Sequence, residues 1–459
     1  MKSSWKLWYA TAKNLLRIAM RLYYRRVKVA GLEHVPEQAA VIFVSNHQNA
    51  FIDALNVAAW CRHIRQPQFM TRADIFKPPF DRVLRGLKML PIYRQRDGLD
   101  EVKKNAASFE EVMEELSTPN GTTLIFPEGN HNRRRQLRPL QKGAARLAFQ
   151  VAEKHAFQRP IYIVPVGLNY ERHLKAHADL LVQYGEAIPV LEFEGLYRQH
   201  PNRAYVEVTR RMEAGMRRTL IHISDEAHFD TIDSLRERYG RRWQRQAGLP
   251  ADQAGLLAAG QQLVARLEAL PADDPAWEAA HAREQEYRSL LEACGLRDHV
   301  VAGAPVRPGQ ALAGLAAGLL GLPVFLLGLL LNYPVYHLSA WAPGRYFKDD
   351  HFHSSVSFVV GYFGYPLYWP LQALVFWAAW SGWAALLSLV LAPLTGRLAL
   401  SYAVGVKKWR GRLRYARMLR RRDPQALRLQ ALYAEQDAWM QAVTEESLAS
   451  GKPAAAPMR

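Results

Sequence analysis

Cysteine is nearly missing from this chain: its 459 residues include two, Cys61 and Cys294. They stand far apart and share no metal-type or redox-type spacing, so neither a disulfide framework nor a zinc site follows, and both read as ordinary thiols. Acidic residues are also in short supply. Sixty Lys and Arg stand against 42 Asp and Glu, a formal net charge of +18, which points to an anionic membrane surface, anionic substrates or nucleic acid. The third scarcity is an uninterrupted apolar run near the beginning. Lys6, Lys13, Arg17, Arg21, Arg25 and Arg26 break up that stretch, so it does not read as a secretory signal. It reads as one amphipathic helix over 1–26, on which Trp5, Trp8, Tyr9, Ala12, Leu15, Leu16, Ala19 and Met20 can share a face. That helix either lies in a membrane interface or packs on its own domain.

What is abundant is unevenly placed. Hydrophobic residues make up 49% of the chain, yet the mean hydropathy is −0.20, so the apolar content must be concentrated. Two charge-free runs hold it: 21 residues at 311–331 and 43 residues at 354–396. The first is long enough to span a bilayer as a helix, and the second is about twice one crossing at roughly 1.5 Å per residue. "WAAWSGWAA" near the middle of the second suits an interfacial turn, since Trp favours that depth. Nine Lys or Arg in the 16 residues 407–422 favour the cytoplasmic face of a cytoplasmic membrane. If the rest of the chain faces the cytoplasm too, the crossings should be even in number, which leaves one segment re-entrant or interfacial. Buried core helices of a soluble protein are the rival reading.

Between these ends the pattern changes twice. Residues 27–224 alternate β-like runs (40–45, 68–71, 122–126, 161–166, 181–184) with helical stretches (53–60, 99–116, 140–154, 202–221). This is the signature of an α/β domain. Residues 225–305 are polar, rich in Ala, Glu, Arg and Gln, and read as a helical spacer with a turn at 270–277. Membrane-embedded helices are then expected over 306–403 and a basic cytoplasmic tail over 404–459.

The chemistry gathers in the α/β domain. "VSNHQNAFIDAL", residues 44–55, ends an apolar run in Asn46, His47, Gln48 and Asn49 and then returns to apolar residues around Asp53. Polar clusters at the end of a strand are where active sites collect. Histidine is readily poised as a general base near neutral pH, and a carboxylate on its other ring nitrogen fixes the tautomer. A helix cap is the plainer use of the same pair. Further on, "LIFPEGNHNRRRQLRPLQKGAARLA" runs from a strand through Pro127, Glu128 and Gly129 into a basic loop and a helix. Gly129 allows close backbone approach, and Arg133, Arg134, Arg135, Arg138 and Lys142 offer charge suited to a phosphate. "GLKMLPIYRQRDG" brings Arg94 and Arg96 to the end of an apolar stretch, and "IYIVPVGLNY" is a strand carrying Pro165, Gly167 and Tyr170.

In this order and at these separations, the four segments resemble the glycerolipid acyltransferase family of glycerol-3-phosphate and 1-acylglycerol-3-phosphate acyltransferases. The resemblance covers about 27–186. It implies an α/β domain with a mixed sheet flanked by helices. His47 and Asp53 look like the family's catalytic dyad, Arg94 like its second motif, Phe126-Pro127-Glu128-Gly129 like its third and Pro165 like its fourth. The resemblance further implies substrate binding by Arg94, Glu128, Gly129, Arg133 and Lys142. It implies acyl-CoA or acyl-carrier protein as donor, glycerol 3-phosphate or a lysophospholipid as acceptor, backbone amides near Gly129 as oxyanion donors, and no metal or other cofactor. Two departures stand out. Five residues rather than four separate His47 from Asp53, so the pair meets only if His47 precedes the helix and the extra residue is absorbed around Asn49. "PEGNHN" stands where the family has Thr-Arg-Ser after the Gly, which passes that arginine's role to Arg133 or a neighbour.

Two other classes compete. A non-catalytic lipid-binding protein or membrane tether on the same fold would have no need of a base at His47. A nucleic-acid-binding protein is suggested by charge alone, and the basic clusters adjoin apolar spans without a recognition module.

Overall fold

The computed structural model describes residues 3–449 apart from 63, 77, 79–80, 94–99, 101–102, 133, 305 and 347–351. Helix α1 (Ser3–Tyr23) leads into strand β1 (Arg26–Ala30), then β2 (Ala40–Ser45) and α2 (Ala50–Trp60). Strands β3 (Gln68–Arg72) and β4 (Met89–Ile92), helix α3 (Asn105–Leu116), strand β5 (Thr122–Ile125) and helix α4 (Gly143–Lys154) follow. The domain ends with β6 (Ile161–Tyr170), β7 (Asp179–Tyr184), the two-residue β8 (Ile188–Pro189) and α5 (Pro201–Thr219).

The strands form one sheet in the order β1-β7-β6-β2-β5-β3-β4, with β8 beside β6. It is mixed: β2 runs parallel to both β5 and β6, whereas β7 and β8 run antiparallel to β6. The connection from β6 to β7 is too short for a crossover, so β7 must turn back. Every residue of β2 is buried, as expected of a central strand covered on both faces. Its side chains alternate accordingly. Ile42 and Val44 join Val112, Ala148, Val208 and Met212 from α3, α4 and α5. Val41 and Phe43 join Met20 from α1 and Ile52 and Val57 from α2.

Helix α1 has two faces. Met20 is fully buried, while Leu7, Trp8, Leu15, Ile18 and Leu22 are exposed along the other side. Two of its basic residues turn inward. Lys13 Nζ donates to the carbonyls of Arg62 and Arg65, and Arg17 to those of Ala59 and Cys61. These cations satisfy the carbonyls at the carboxyl end of α2, where the helix dipole favours positive charge.

Helices α6 (Phe229–Gln246), α7 (Gln253–Glu268) and α8 (Pro275–Ala293) pack around Trp243 and Trp277. Three long helices follow: α9 (Pro308–Tyr346), α10 (His353–Ala379) and α11 (Gly382–Arg420). Trp380 and Ser381 make the turn between α10 and α11, and Ser381 caps α11 through the amide of Ala384. Helix α11 is continuous through the basic stretch, and α12 (Pro424–Ala449) returns to pack Leu429 and Leu432 against Tyr287 of α8. Helices α9 and α11 are each long and apolar enough to cross a membrane, and their most apolar windows are only 11% and 22% buried. Polar residues lie inside this bundle. Asn332 Nδ2 donates to the carbonyls of Gly328 and Ala392, and its Oδ1 accepts from Trp369 Nε1. At Gly328 an added Cβ would stand 2.3 Å from the Thr395 carbonyl, so the two backbones meet only because glycine is there.

Candidate active site

His47 lies in the loop between β2 and α2, and Asp53 lies in the first turn of α2. That placement brings together two side chains that one regular helix would point apart. His47 Nδ1 is 2.9 Å from Asp53 Oδ2. The same oxygen accepts the backbone amides of Gln48 and Asn49, each at 2.7 Å. Asp53 Oδ1 accepts from Tyr170 Oη at 2.6 Å. The Asp53 carboxylate is fully buried and has a donor on each of these bonds, so the imidazole proton is assigned to Nδ1. Nε2 then carries the lone pair, and the His47 side chain is 15% exposed. This is the geometry of a tautomer-locked base on a side chain that is partly exposed.

The ring is held from its faces as well. Phe126 stacks on it at 3.9 Å between centroids and 9° between planes, and His131 tilts against it at 4.0 Å. Tyr170 is itself fixed by Asn56 Nδ2, which donates to both Tyr170 Oη and Tyr24 Oη at 3.0 Å. Burial, with Asp53 beside it, pushes the Tyr170 phenol well above its ordinary pKa, so it stays a donor. Sequence reasoning noted Tyr170 only as a strand end. Its tie to Asp53 spans 117 positions, beyond the reach of any local pattern.

Glu128 stands next to the pair, but its oxygens face backbone. Oε1 accepts the amide of His47 at 3.1 Å and Oε2 the amide of Arg138 at 3.2 Å. Burial pushes its carboxyl up, against the pull of those two amides. The loop is buckled to His47 a second time, since the amide of Asn132 donates to the His47 carbonyl at 2.8 Å. Gly129 has φ 68, a left-handed conformation, and an added Cβ would meet nothing closer than 3.8 Å. Its amide donates to the Phe126 carbonyl at 3.2 Å, and that of His131 to Asn130 Oδ1 at 2.9 Å. These two amides are therefore engaged within the loop.

The expected phosphate-binding cations divide. Arg94 and Arg133 lie outside the described residues. Lys142 is exposed at the N-cap of α4. Arg135 is turned inward instead: it donates to the Tyr170 carbonyl at 3.0 Å and pairs with Asp233 of α6 at 3.3 Å. Arg134 lies over the Phe229 ring at 5.0 Å. In this part of the basic run, Arg134 and Arg135 fasten the α/β domain to the helices that follow.

The far end of the chain reaches the site. Ser354 and Ser355, at the start of α10, hydrogen-bond to Asn49 and Ile52 at the start of α2, and Phe352 meets His131 edge-on.

Comparison with known proteins bears on the same residues. Positions 26–169, from the start of β1 to the penultimate residue of β6, match the family described as Acyltransferase. Glycerol-3-phosphate O-acyltransferase 1 of Saccharomyces cerevisiae is 25% identical over 238 residues, covering 50% of this chain and 30% of that protein. Glycerol-3-phosphate O-acyltransferase 2 of the same yeast is 24% identical over 199 residues, covering 43% of this chain and 26% of that protein. The chain thus spans less than a third of the length of these relatives. The crystal structure of the 1-acyl-sn-glycerophosphate (LPA) acyltransferase from Thermotoga maritima is similar at 17% identity with a TM-score of 0.32, covering 44% of this chain and 77% of that one. The matched segment is the one that sets His47 against Asp53, so the α/β domain of this chain is similar to the acyltransferase family over the residues that hold the pair.

Proposed function

We propose that the protein transfers a fatty acyl group from a thioester to a hydroxyl of glycerol 3-phosphate at a membrane surface. The observation that carries the reading is the His47–Asp53 contact, made by a partly exposed histidine at the foot of an apolar helix. In the proposed reaction His47 Nε2 takes the hydroxyl proton as the oxygen attacks the thioester carbonyl. Asp53, fixed by Tyr170 and two amides, stabilises the imidazolium. The tetrahedral intermediate collapses with loss of the thiolate, which recovers the proton from Nε2 as a free thiol. The ester forms, the C–S bond breaks, and nothing is oxidised or reduced.

Glu128 enters this reading as the residue that holds the loop against His47 rather than as a contact to substrate. Gly129 and the cations Arg94, Arg133 and Lys142 are assigned to the acceptor's glycerol phosphate. The choice of glycerol 3-phosphate over its 1-acyl derivative draws on the two yeast relatives, whose names specify that acceptor. The membrane setting draws on α9 and α11, whose apolar surfaces are left largely uncovered.

The test is acyl transfer by the detergent-purified protein. It is supplied with palmitoyl-CoA or palmitoyl-acyl-carrier protein and offered either glycerol 3-phosphate or 1-acylglycerol 3-phosphate. Transfer to glycerol 3-phosphate, lost in His47→Ala, supports the full reading. Transfer only to the 1-acyl compound keeps the enzyme and moves the acceptor. No transfer from any donor to either acceptor sinks the reading and leaves a membrane tether on this fold.

A further inference from the structure

The extra residue between His47 and Asp53 has to go somewhere, and the backbone shows where. Ala50, the first residue of α2, has φ 40, a left-handed conformation for a residue with a side chain, and is 4% exposed. Such a conformation persists only where its surroundings hold it. The residue before it, Asn49, would ordinarily cap α2 with its own side chain, but makes no such bond. Its side chain is pulled outward: Nδ2 donates to the His173 carbonyl at 2.6 Å, and Oδ1 accepts from Ser354 Oγ at 2.9 Å.

The capping is done from about 300 positions further along the chain. Ser355 Oγ accepts the amide of Ile52 at 3.1 Å and donates to the carbonyl of Asn49 at 2.8 Å. Ser354 and Ser355 are 2% and 4% exposed. One turn on, Phe358 packs edge-on against Tyr23 at 5.3 Å within the core that holds Ile52. The two hydroxyls thus bracket Ala50 on both sides. Asn49, the residue they grip, also supplies one of the two amides that hold Asp53 Oδ2, at 2.7 Å.

We propose that Ser354 and Ser355 are positioning residues for the His47–Asp53 pair, so that the apolar helix α10 sets the geometry of the base through the displaced turn at Asn49–Ala50. The inference rests on the transfer reading for its kinetic test, and on structure alone for a second one.

In the full-length protein, Ser354→Ala combined with Ser355→Ala removes both grips. Its kcat should fall about fivefold to about thirtyfold, since a lost hydrogen bond corresponds to about fivefold in rate. The KM values for both substrates should stay within about twofold. Ala50→Gly, placed in that double variant, should recover a substantial part of the loss, because glycine adopts a positive φ without a side-chain penalty. Ser355→Thr, which keeps the hydroxyl, should recover it as well when Ser354 is intact. A role limited to holding the fold together gives no reason for rescue at Ala50.

Hydrogen–deuterium exchange followed by mass spectrometry on the protein in nanodiscs needs no substrate. The segment 44–55 should exchange faster in the double variant while 161–170 keeps its protection. If the double variant loosens everywhere, the two single variants decide in its place. Wild-type kcat and wild-type exchange at 44–55 would overturn the proposal, and so would a loss that appears wholly in KM or that Ala50→Gly leaves untouched. Should the wild type transfer nothing, the functional reading falls, and the exchange experiment still decides whether the serines hold this turn.

Discussion

The α/β domain and the three-helix bundle of α9, α10 and α11 obey opposite rules. In the domain, apolar side chains such as Ile42, Phe43 and Val164 are fully buried. In the bundle, Leu320, Leu367 and Trp383 are 81%, 74% and 75% exposed, whereas Asn332, Gln372, Ser388 and Thr395 are buried. Water rewards the first arrangement and penalises the second. Hydrocarbon reverses the preference: it gives no reason to hide leucine, and it drives polar groups to bond with one another inside. The difference teaches that the two regions distribute apolar and polar side chains in opposite ways, as the proposed membrane setting of the bundle requires. The Ser354–Ser355 contact with Asn49 ties the apolar bundle to the domain that holds the candidate base.

The largest effect should come from deleting that base. His47→Ala should lower transfer by about 10³-fold or more, the span expected of a general base, with unchanged circular dichroism and membrane association. Wild-type kinetics in this variant would remove His47 from the mechanism. The next test breaks the comparison of solvents directly. Leu320→Arg puts a charge near the middle of the charge-free run 311–331 of α9, where insertion costs about 3 kcal/mol, so the protein should leave the membrane fraction on carbonate washing. Val206→Arg, on a residue of α5 that is 49% exposed, should change stability by no more than about 0.5 kcal/mol. Equal behaviour of the two arginines would show that the bundle does not sit in lipid.

Tyr170→Phe should come third. It removes the donor on Asp53 Oδ1 and leaves Asn56 in place, so kcat should fall about tenfold, in line with one hydrogen bond to a charged group of about 1.5 kcal/mol. An unchanged kcat would mean that the two amides and His47 alone position Asp53.

What could be read from the residues was local. The runs at 40–45 and 122–126 announced β2 and β5 because a covered central strand is apolar throughout, and His47 and Asp53 stood close enough to suggest a pair. Strand β1 escaped because "RVKVA" alternates with Arg and Lys, as an edge strand does. The arginine run suggested phosphate binding, yet Arg135 lies inward because Asp233, about a hundred positions on, meets it there. The charges on α1 seemed to belong to its wet side, but Lys13 and Arg17 cap α2. Tyr170, Ser354 and Ser355 left no local signal. Their importance comes from where the fold brings them, and only tertiary contact supplies that.

The smallest effect sharpens the comparison through pH. Buried polar groups in the bundle are amides and hydroxyls with no charge to change, whereas Glu128 in the α/β domain is a buried acid whose pKa is raised. Raising the folded-state pKa means that its contribution to stability is fully present below the ordinary carboxyl range. That contribution is lost as pH rises through the raised value, because the folded state must then carry a buried charge. Glu128→Gln keeps the shape and removes the titration. Measured from pH 4 to pH 7, the Tm of wild type relative to Glu128→Gln should therefore fall as pH rises. Asn332→Leu in the bundle should show a difference from wild type that is flat over the same range. If the Glu128 difference were also flat, or grew with pH, the two amides of His47 and Arg138 would outweigh burial. Glu128 would then be an anion held in place rather than an acid resisting its charge.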